Sequence, residues 1–135
     1  MTYLVDSTVY IDWMRKGRNP IRILAPWLRA GALMGCGVVR AEVLRGMVSP
    51  AARREMELLF EHIPDASLAA GVWDEIAGQA WELDRAGHVL PLMDIAIAVC
   101  TRRARATLVT HDRHFQKVPD LKTIDALPPM GGAFD

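Results

Sequence analysis

TYLVDSTVYID, residues 2–12, switches from strand to helix at a carboxylate. Tyr3, Leu4 and Val5 are apolar and strand-favouring, so residues 2–5 read as a short buried strand. A helix follows from about Thr8 to Lys16, with Gly17 a natural stop. Between them stands Asp6, with two hydroxyls, Ser7 and Thr8, straight after it. An Asp at such a junction suits a helix N-cap. It equally suits an anion delivered to the C-terminal edge of a buried parallel sheet, where α/β proteins place their ligands. Asp6 alone leaves both readings open.

The same alternation continues along the chain. Asn19-Pro20 signals a second helix, which Pro26 is expected to kink or interrupt. ALMGCG (32–37) suits a second strand and leads into a helix, VVRAEVLRG, ending at Gly46. Ser49-Pro50 opens a helix whose Met56, Leu59, Phe60 and Ile63 recur at helical spacing. HIPD (62–65) reads as a short edge strand. Ser67 is expected to cap a long amphipathic helix with Val72, Trp73, Ile76, Ala77, Ala80 and Leu83 on one face. From Pro91 to about Arg103 the sequence is apolar nearly all round, the mark of a buried helix. ATLVT (106–110) and LKTID (121–125) read as further strands. This order predicts an α/β fold of three layers, α/β/α, with a small, mostly parallel sheet flanked by helices. The length of 135 residues predicts a single domain, 1–135, with a loose tail over 128–135.

Apolar residues are 51% of the chain and charged residues 24%, an ordinary globular balance. Lys plus Arg and Asp plus Glu are 16 each, so net charge names no partner. A nucleic-acid ligand would need a local basic face. Cys36 and Cys100 form no metal-type CxxC pair, and with no signal peptide in view, reduced thiols in a cytoplasm are expected. The longest apolar stretch, VLPLMDIAIAVC, is too short to span a membrane and carries Asp94 in its middle.

Four carboxylates stand out on this map. Asp6 ends the first strand, and Asp112 follows ATLVT. Glu42 lies in the helix after the second strand, and Asp94 in the first turn of the buried helix. Parallel strands end at one edge, and the helices that follow begin there, so all four are expected to share a pocket. Asp6 has the cap as its alternative, Glu42 a solvated helix position, and Asp112 a turn. Asp94 is sharper, being the only ionisable group between Leu90 and Cys100, with no Lys or Arg within a helical turn. An unpaired carboxylate there costs roughly several kcal/mol. The helix N-terminus offsets only about 0.3–1 kcal/mol of that. A cation from outside the chain resolves the cost. Crowded carboxylates also repel one another, and an all-oxygen cluster suits Mg²⁺ or Mn²⁺ rather than zinc. Such an ion commonly activates a water and stabilises the leaving oxygen in phosphodiester cleavage. Ser7, Thr8 and Thr110 are placed to orient the acids or that water.

These blocks together resemble a PIN domain, specifically the VapC-type toxin ribonucleases of toxin–antitoxin pairs. The resemblance runs from YLVDSTVYID through VVRAEVLRG and GHVLPLMDIAIAVC to LVTHDRHFQKVPDL. The family's first Asp, before a Ser/Thr pair, falls on Asp6. Its helical Glu falls on Glu42, with Gly46 after it. Its P-x-x-D acid falls on Asp94 after Pro91, and its T-x-D acid on Asp112, with Phe115 following. The resemblance implies that these acids coordinate one or two Mg²⁺ or Mn²⁺ ions and support cleavage of single-stranded RNA, with Asp6 and Asp94 the most direct ligands. It also implies a homodimer silenced by a VapB-like antitoxin, whose C-terminal segment fills a groove that Trp13, Met14, Trp27 and Leu28 could line. The small hydroxyl residue that often opens the Glu-bearing helix is missing here, where Gly37 and Val38 stand.

Cations for RNA are available at Arg15, Lys16 and Arg18, at Arg102, Arg103 and Arg105, and at Arg113, the candidate beside Asp112 for touching substrate. Their alternative is a solvated helix end. His111 and His114 invite a general-base role that a metal-bound water makes unnecessary. DSTV also resembles the haloacid dehalogenase opening, but Thr8 stands where that motif needs a second Asp. A response-regulator receiver would want an acidic pair and a late Lys that VDST and LVTHD lack. A PIN-like module that only binds RNA or protein is the alternative from another class; retention of all four acids favours catalysis.

Overall fold

Three apolar residues suffice for a strand when neighbours cover both faces. In the computed structural model, which describes residues 1–130, β1 (Tyr3–Val5) is buried throughout, with Leu4 at 0% exposure. It lies in parallel between β2 (Leu33–Met34) and β3 (Thr107–Val109), and β3 pairs in parallel with β4 (Thr123–Ile124). The order among the described residues is β2-β1-β3-β4. Such two-sided burial is the condition under which parallel strands read as unbroken apolar runs. The ladder continues past the strands, with the Asp6 amide donating to the Val109 carbonyl (2.8 Å) and the Thr110 amide to that of Ile124 (2.9 Å). Asp6 and Thr110 therefore meet side by side at the C-terminal edge.

The helices are α1 (Ser7–Arg15), α2 (Pro20–Arg29), α3 (Gly37–Arg45), α4 (Pro50–Glu61), α5 (Val72–Arg85) and α6 (Leu92–Arg103). The α/β arrangement read from the alternation is the one observed. At its centre is α6, where every residue from Ile95 to Thr101 is at most 1% exposed. Ile95, Ile97 and Val99 each contribute about 1.5–3 kcal/mol by this burial. Thr101, the polar member, donates its hydroxyl to the Ile97 carbonyl (2.8 Å). The burial begins only after Asp94, since Leu92 and Met93 are 50% and 42% exposed. Cys36 and Cys100 are free and buried, with their sulfurs 3.6 Å apart. Among the described residues, no helix is long and apolar enough to cross a membrane.

Several local expectations are corrected. Pro26 does not interrupt α2, which runs on to Arg29; a proline near a helix end costs one amide bond, and the exposed Arg22 tolerates it. HIPD makes a single parallel bridge, Asp65 to Gly35, instead of a strand. Ser67 caps no long helix. It lies in a 3-10 turn (Ala66–Leu68) capped by Asp65, and α5 starts later, after Gly71 in the left-handed region. The buried stripe of α5 is Val72, Ile76, Gln79 and Leu83, while Trp73 is 52% exposed and Ala77 is also exposed. One residue of helix is a turn of about 100°, which swings Trp73 off the stripe. Gln79 joins it because its Oε1 accepts from Arg102 (2.6 Å). Of the expected loose tail, 128–130 has no regular structure and 131–135 lies outside the described residues.

The hydroxyl missing at the start of α3 is replaced from another part of the chain. Cys36 at the N-cap makes no side-chain capping bond. The Gly37 amide donates instead to Asp65 Oδ1 (3.2 Å) and Ser67 Oγ (3.3 Å), and Ser67 Oγ donates to Asp65 Oδ1 (2.6 Å). A Cβ at Gly37 would stand 3.1 Å from Ser67 Oγ, so glycine permits the approach. Asp65→Ala is expected to cost roughly 1–2 kcal/mol, read as a lower urea midpoint. An unchanged midpoint would show that α3 does not depend on this cap.

Candidate active site

Asp6 occupies the N-cap position of α1 with extended backbone, yet its carboxylate makes no capping bond. It turns to hydroxyls. Thr8 Oγ1 and Thr110 Oγ1 each donate to Asp6 Oδ2 at 2.8 Å. Ser7 Oγ donates to Glu42 Oε1 (3.1 Å) and lies 3.5 Å from Asp6 Oδ1. Asp6 is 2% exposed and has no cation beside it within 4 Å among the described residues. The hydroxyl bonds hold it in one orientation and leave Oδ1 the less engaged oxygen. Ser7 ties that carboxylate to Glu42 on α3.

Thr110 serves a second acid. Its Oγ1 accepts from the Asp112 amide (3.0 Å), and Asp112 Oδ1 in turn accepts from the His114 amide (2.9 Å). Asp112 is thus the cap of the 3-10 turn Arg113–Lys117, as the turn reading of that residue has it. The same turn folds His114 back, leaving Nδ1 3.3 Å from Asp112 Oδ1. One donor atom each from Asp94, Asp112 and His114 lie within 4.8 Å of one another. Asp6 and Glu42 are not in this trio, but their charge reaches it. Burial first, then the carboxylates of Asp112, Asp6 and Glu42, push Asp94 up to about 6 against the pull of His114. Burial, with Asp6 beside it, also raises Glu42, opposed by the Ser7 hydrogen bond and Arg45. All four predicted acids act on one another at one sheet edge.

His114 was missed as a possible ligand; the signal was its D-x-H spacing, since a capping Asp turns the second residue after it back toward itself. A donor set of carboxylates and one imidazole fits a divalent cation, and the upward push on Asp94 is what a cation would relieve. His111 is engaged elsewhere, with Nδ1 against Asp12 and Nε2 3.0 Å from the Asp125 carbonyl. Arg113 is exposed beside Asp112 and borders a cavity of about 530 Å³ with Gln116, Thr123 and Asp125. Arg102 and Arg103 do not serve the acids. The helix that carries Asp94 in its first turn ends at the other edge of the sheet, where both arginines bond Glu75.

The sequence profile of the PIN domain matches residues 3–121. The chain belongs to the PIN domain family. Solved structures agree in fold. VapBC2 from Rickettsia felis, determined with a DNA fragment from its promoter, is 20% identical with a TM-score of 0.72, covering 92% of this chain and 98% of its own. VapBC-1 from nontypeable Haemophilus influenzae is 24% identical with a TM-score of 0.71, covering 93% and 98%. FitAcB from Neisseria gonorrhoeae is 16% identical with a TM-score of 0.65, covering 92% and 97%. No curated protein matches the sequence.

In this PIN domain the raised Asp94 makes a stability signature. The folded state binds its proton up to about pH 6, whereas the unfolded chain releases it near 3.8. The ionised carboxylate therefore costs stability fully above pH 6, and the cost disappears as pH falls through that window. With EDTA at pH 7.5, Asp94→Asn is expected to be the more stable protein by on the order of 1 kcal/mol after solvent screening. Thermal melts should show that difference closing toward pH 4. A variant no more stable than wild type at pH 7.5 would mean that Asp94 is not under this strain.

Proposed function

We propose that this PIN domain is a Mg²⁺- or Mn²⁺-dependent endoribonuclease of the VapC type, the toxin of a toxin–antitoxin pair. The observation that carries the reading is the crowding of Asp94, Asp112, Asp6 and Glu42 at one edge, with Asp94 pushed up by burial first and then by the other three. Asp94 and Asp112, with Asp6 and Glu42 beside them, hold the cation in this reading, and His114 is available as a further donor. The bound ion supplies positive charge at a phosphodiester and lowers the pKa of a water. Thr8 and Thr110 fix the Asp6 carboxylate, and Ser7 couples it to Glu42. Arg113 is the cation placed to contact an RNA phosphate.

Two of the similar structures are those of VapBC2 and VapBC-1, which supports an antitoxin as partner. A cavity of about 290 Å³ lined by Val9, Trp13, Ile23, Trp27 and Leu127, with Lys16 and Arg18 at its border, suits an amphipathic segment. Trp13 and Trp27 line this cavity while also packing with the core, and Met14 and Leu28 pack on the core without lining it. A homodimer of single-domain chains acting in the cytoplasm on single-stranded RNA completes the proposal.

Purified protein with Mn²⁺ is expected to cleave single-stranded RNA and to stop with EDTA. Asp6→Asn or Asp94→Asn should lower the rate on the order of a hundredfold or more, and Thr110→Val about 10–100-fold, all with native circular dichroism. Calorimetry with Mn²⁺ alone should show heat that Asp94→Asn loses. No cleavage of any RNA tested would sink the ribonuclease reading, and absence of acid-dependent metal uptake as well would indicate the binding-only module.

A further inference from the structure

The edge of the sheet opposite the carboxylates holds a cavity of about 530 Å³, where the strands begin. Thr2, Thr107, Arg102, Arg105, Asp120 and Lys122 line it. Three cations thus face one carboxylate. The chain has no net charge, so the imbalance reflects segregation, with acids gathered at one edge and bases at the other.

The three cations differ in how they are held. Arg102 is fixed in place, donating to Gln79 Oε1 (2.6 Å) and the Pro119 carbonyl (2.9 Å), with Glu75 at 3.5 Å. Arg105 and Lys122 have no carboxylate within 4 Å among the described residues, and Asp120 is no exception. Arg105 stands just past the C-cap of α6 with φ at 53°, and Asp120 has φ at 58°. Among the described residues these are the non-glycine residues in the left-handed region, and both border this cavity. Glycine is the ordinary occupant after a helix end; arginine there keeps a guanidinium at the mouth of the cavity.

We propose that this cavity is a phosphate-binding site, with Arg105 and Lys122 as the binding cations and Arg102 as a third, pre-positioned charge. Several positive charges around one opening match a multiply charged phosphate better than a monoanionic carboxylate. The guanidinium fork and the ammonium are both suited to phosphate oxygens, and the hydroxyls of Thr2 and Thr107 are additional donors. The volume lies within the range of small-ligand pockets. The phosphate could belong to a free nucleotide-sized compound or to a nucleic-acid backbone passing this edge. The site does not depend on the ribonuclease reading.

The test is a titration of the full chain followed by amide NMR, with EDTA present so that no metal bridges phosphate to the acids. Inorganic pyrophosphate is expected to shift the amides of residues 104–107 and 120–122. Arg105→Gln with Lys122→Gln should weaken binding about tenfold or more, the loss of two charge-assisted bonds, and Asp120→Asn should strengthen it. An unchanged melting temperature would show that the variants remain folded. A single-stranded oligodeoxynucleotide supplies the second arm. Displacement of pyrophosphate by it assigns the site to a backbone phosphate, and failure to displace assigns it to a small phosphate compound. Absent shifts at this edge, or binding indifferent to the double substitution, would overturn the site.

Discussion

The parallel pairing of β1 with β3 is the constraint on which the acidic edge depends. It sets Val5 beside Val109, so the next residues on each strand, Asp6 and Thr110, leave the sheet together. The Thr110 hydroxyl then serves two acids at once, donating to Asp6 Oδ2 and accepting from the Asp112 amide. A one-residue slip would send Asp6 to the opposite face and part it from that hydroxyl. Burial of Leu4, Leu108 and Val109 at 0% exposure holds the register.

The edge gathers charge that the fold alone would not choose. Four carboxylates act on one another there, and the described cations nearest in sequence are committed elsewhere or face solvent. Asp6 is tolerated in the buried state because hydroxyls satisfy it, the form of compensation that buried polar groups require. Asp94 is not satisfied to the same degree, and its upward shift records the remaining penalty. In the proposed reading a cation among these candidate donors relieves that penalty.

Helix ends show the same economy of shared groups. The start of α3, which carries Glu42, is closed by Asp65 and Ser67 from the segment after α4. That segment therefore bears on where Glu42 stands, although it contributes no acid. The far ends of the helices place the cations: α6 carries Asp94 in its first turn and finishes with Arg102 and Arg103 bonded to α5. One helix separates the two signs of charge across the sheet.

Much of this was legible in the residues. Short apolar runs alternating with helical periodicity implied a parallel α/β sheet, because such strands must be covered on both faces. The isolation of Asp94 in an apolar helix pointed to an acidic edge, because its cost is local and visible in sequence. What failed was what depends on distant partners. Ser67 looked like a helix cap, but its hydroxyl is taken up by Asp65 and Gly37. Trp73 looked like core, but the start of α5 after Gly71 turned it outward. The role of Asp6 was decided only by tertiary contact, and so was the nearness of His114 to Asp94, since sequence spacing ties His114 no further than to Asp112. By itself the sequence determined which groups reach the sheet edge; the Thr8 hydroxyl at the start of α1 and the Thr110 hydroxyl brought by β3 decided that Asp6 faces its fellow acids instead of capping α1, because a carboxylate goes to whichever donors the folded chain sets beside it.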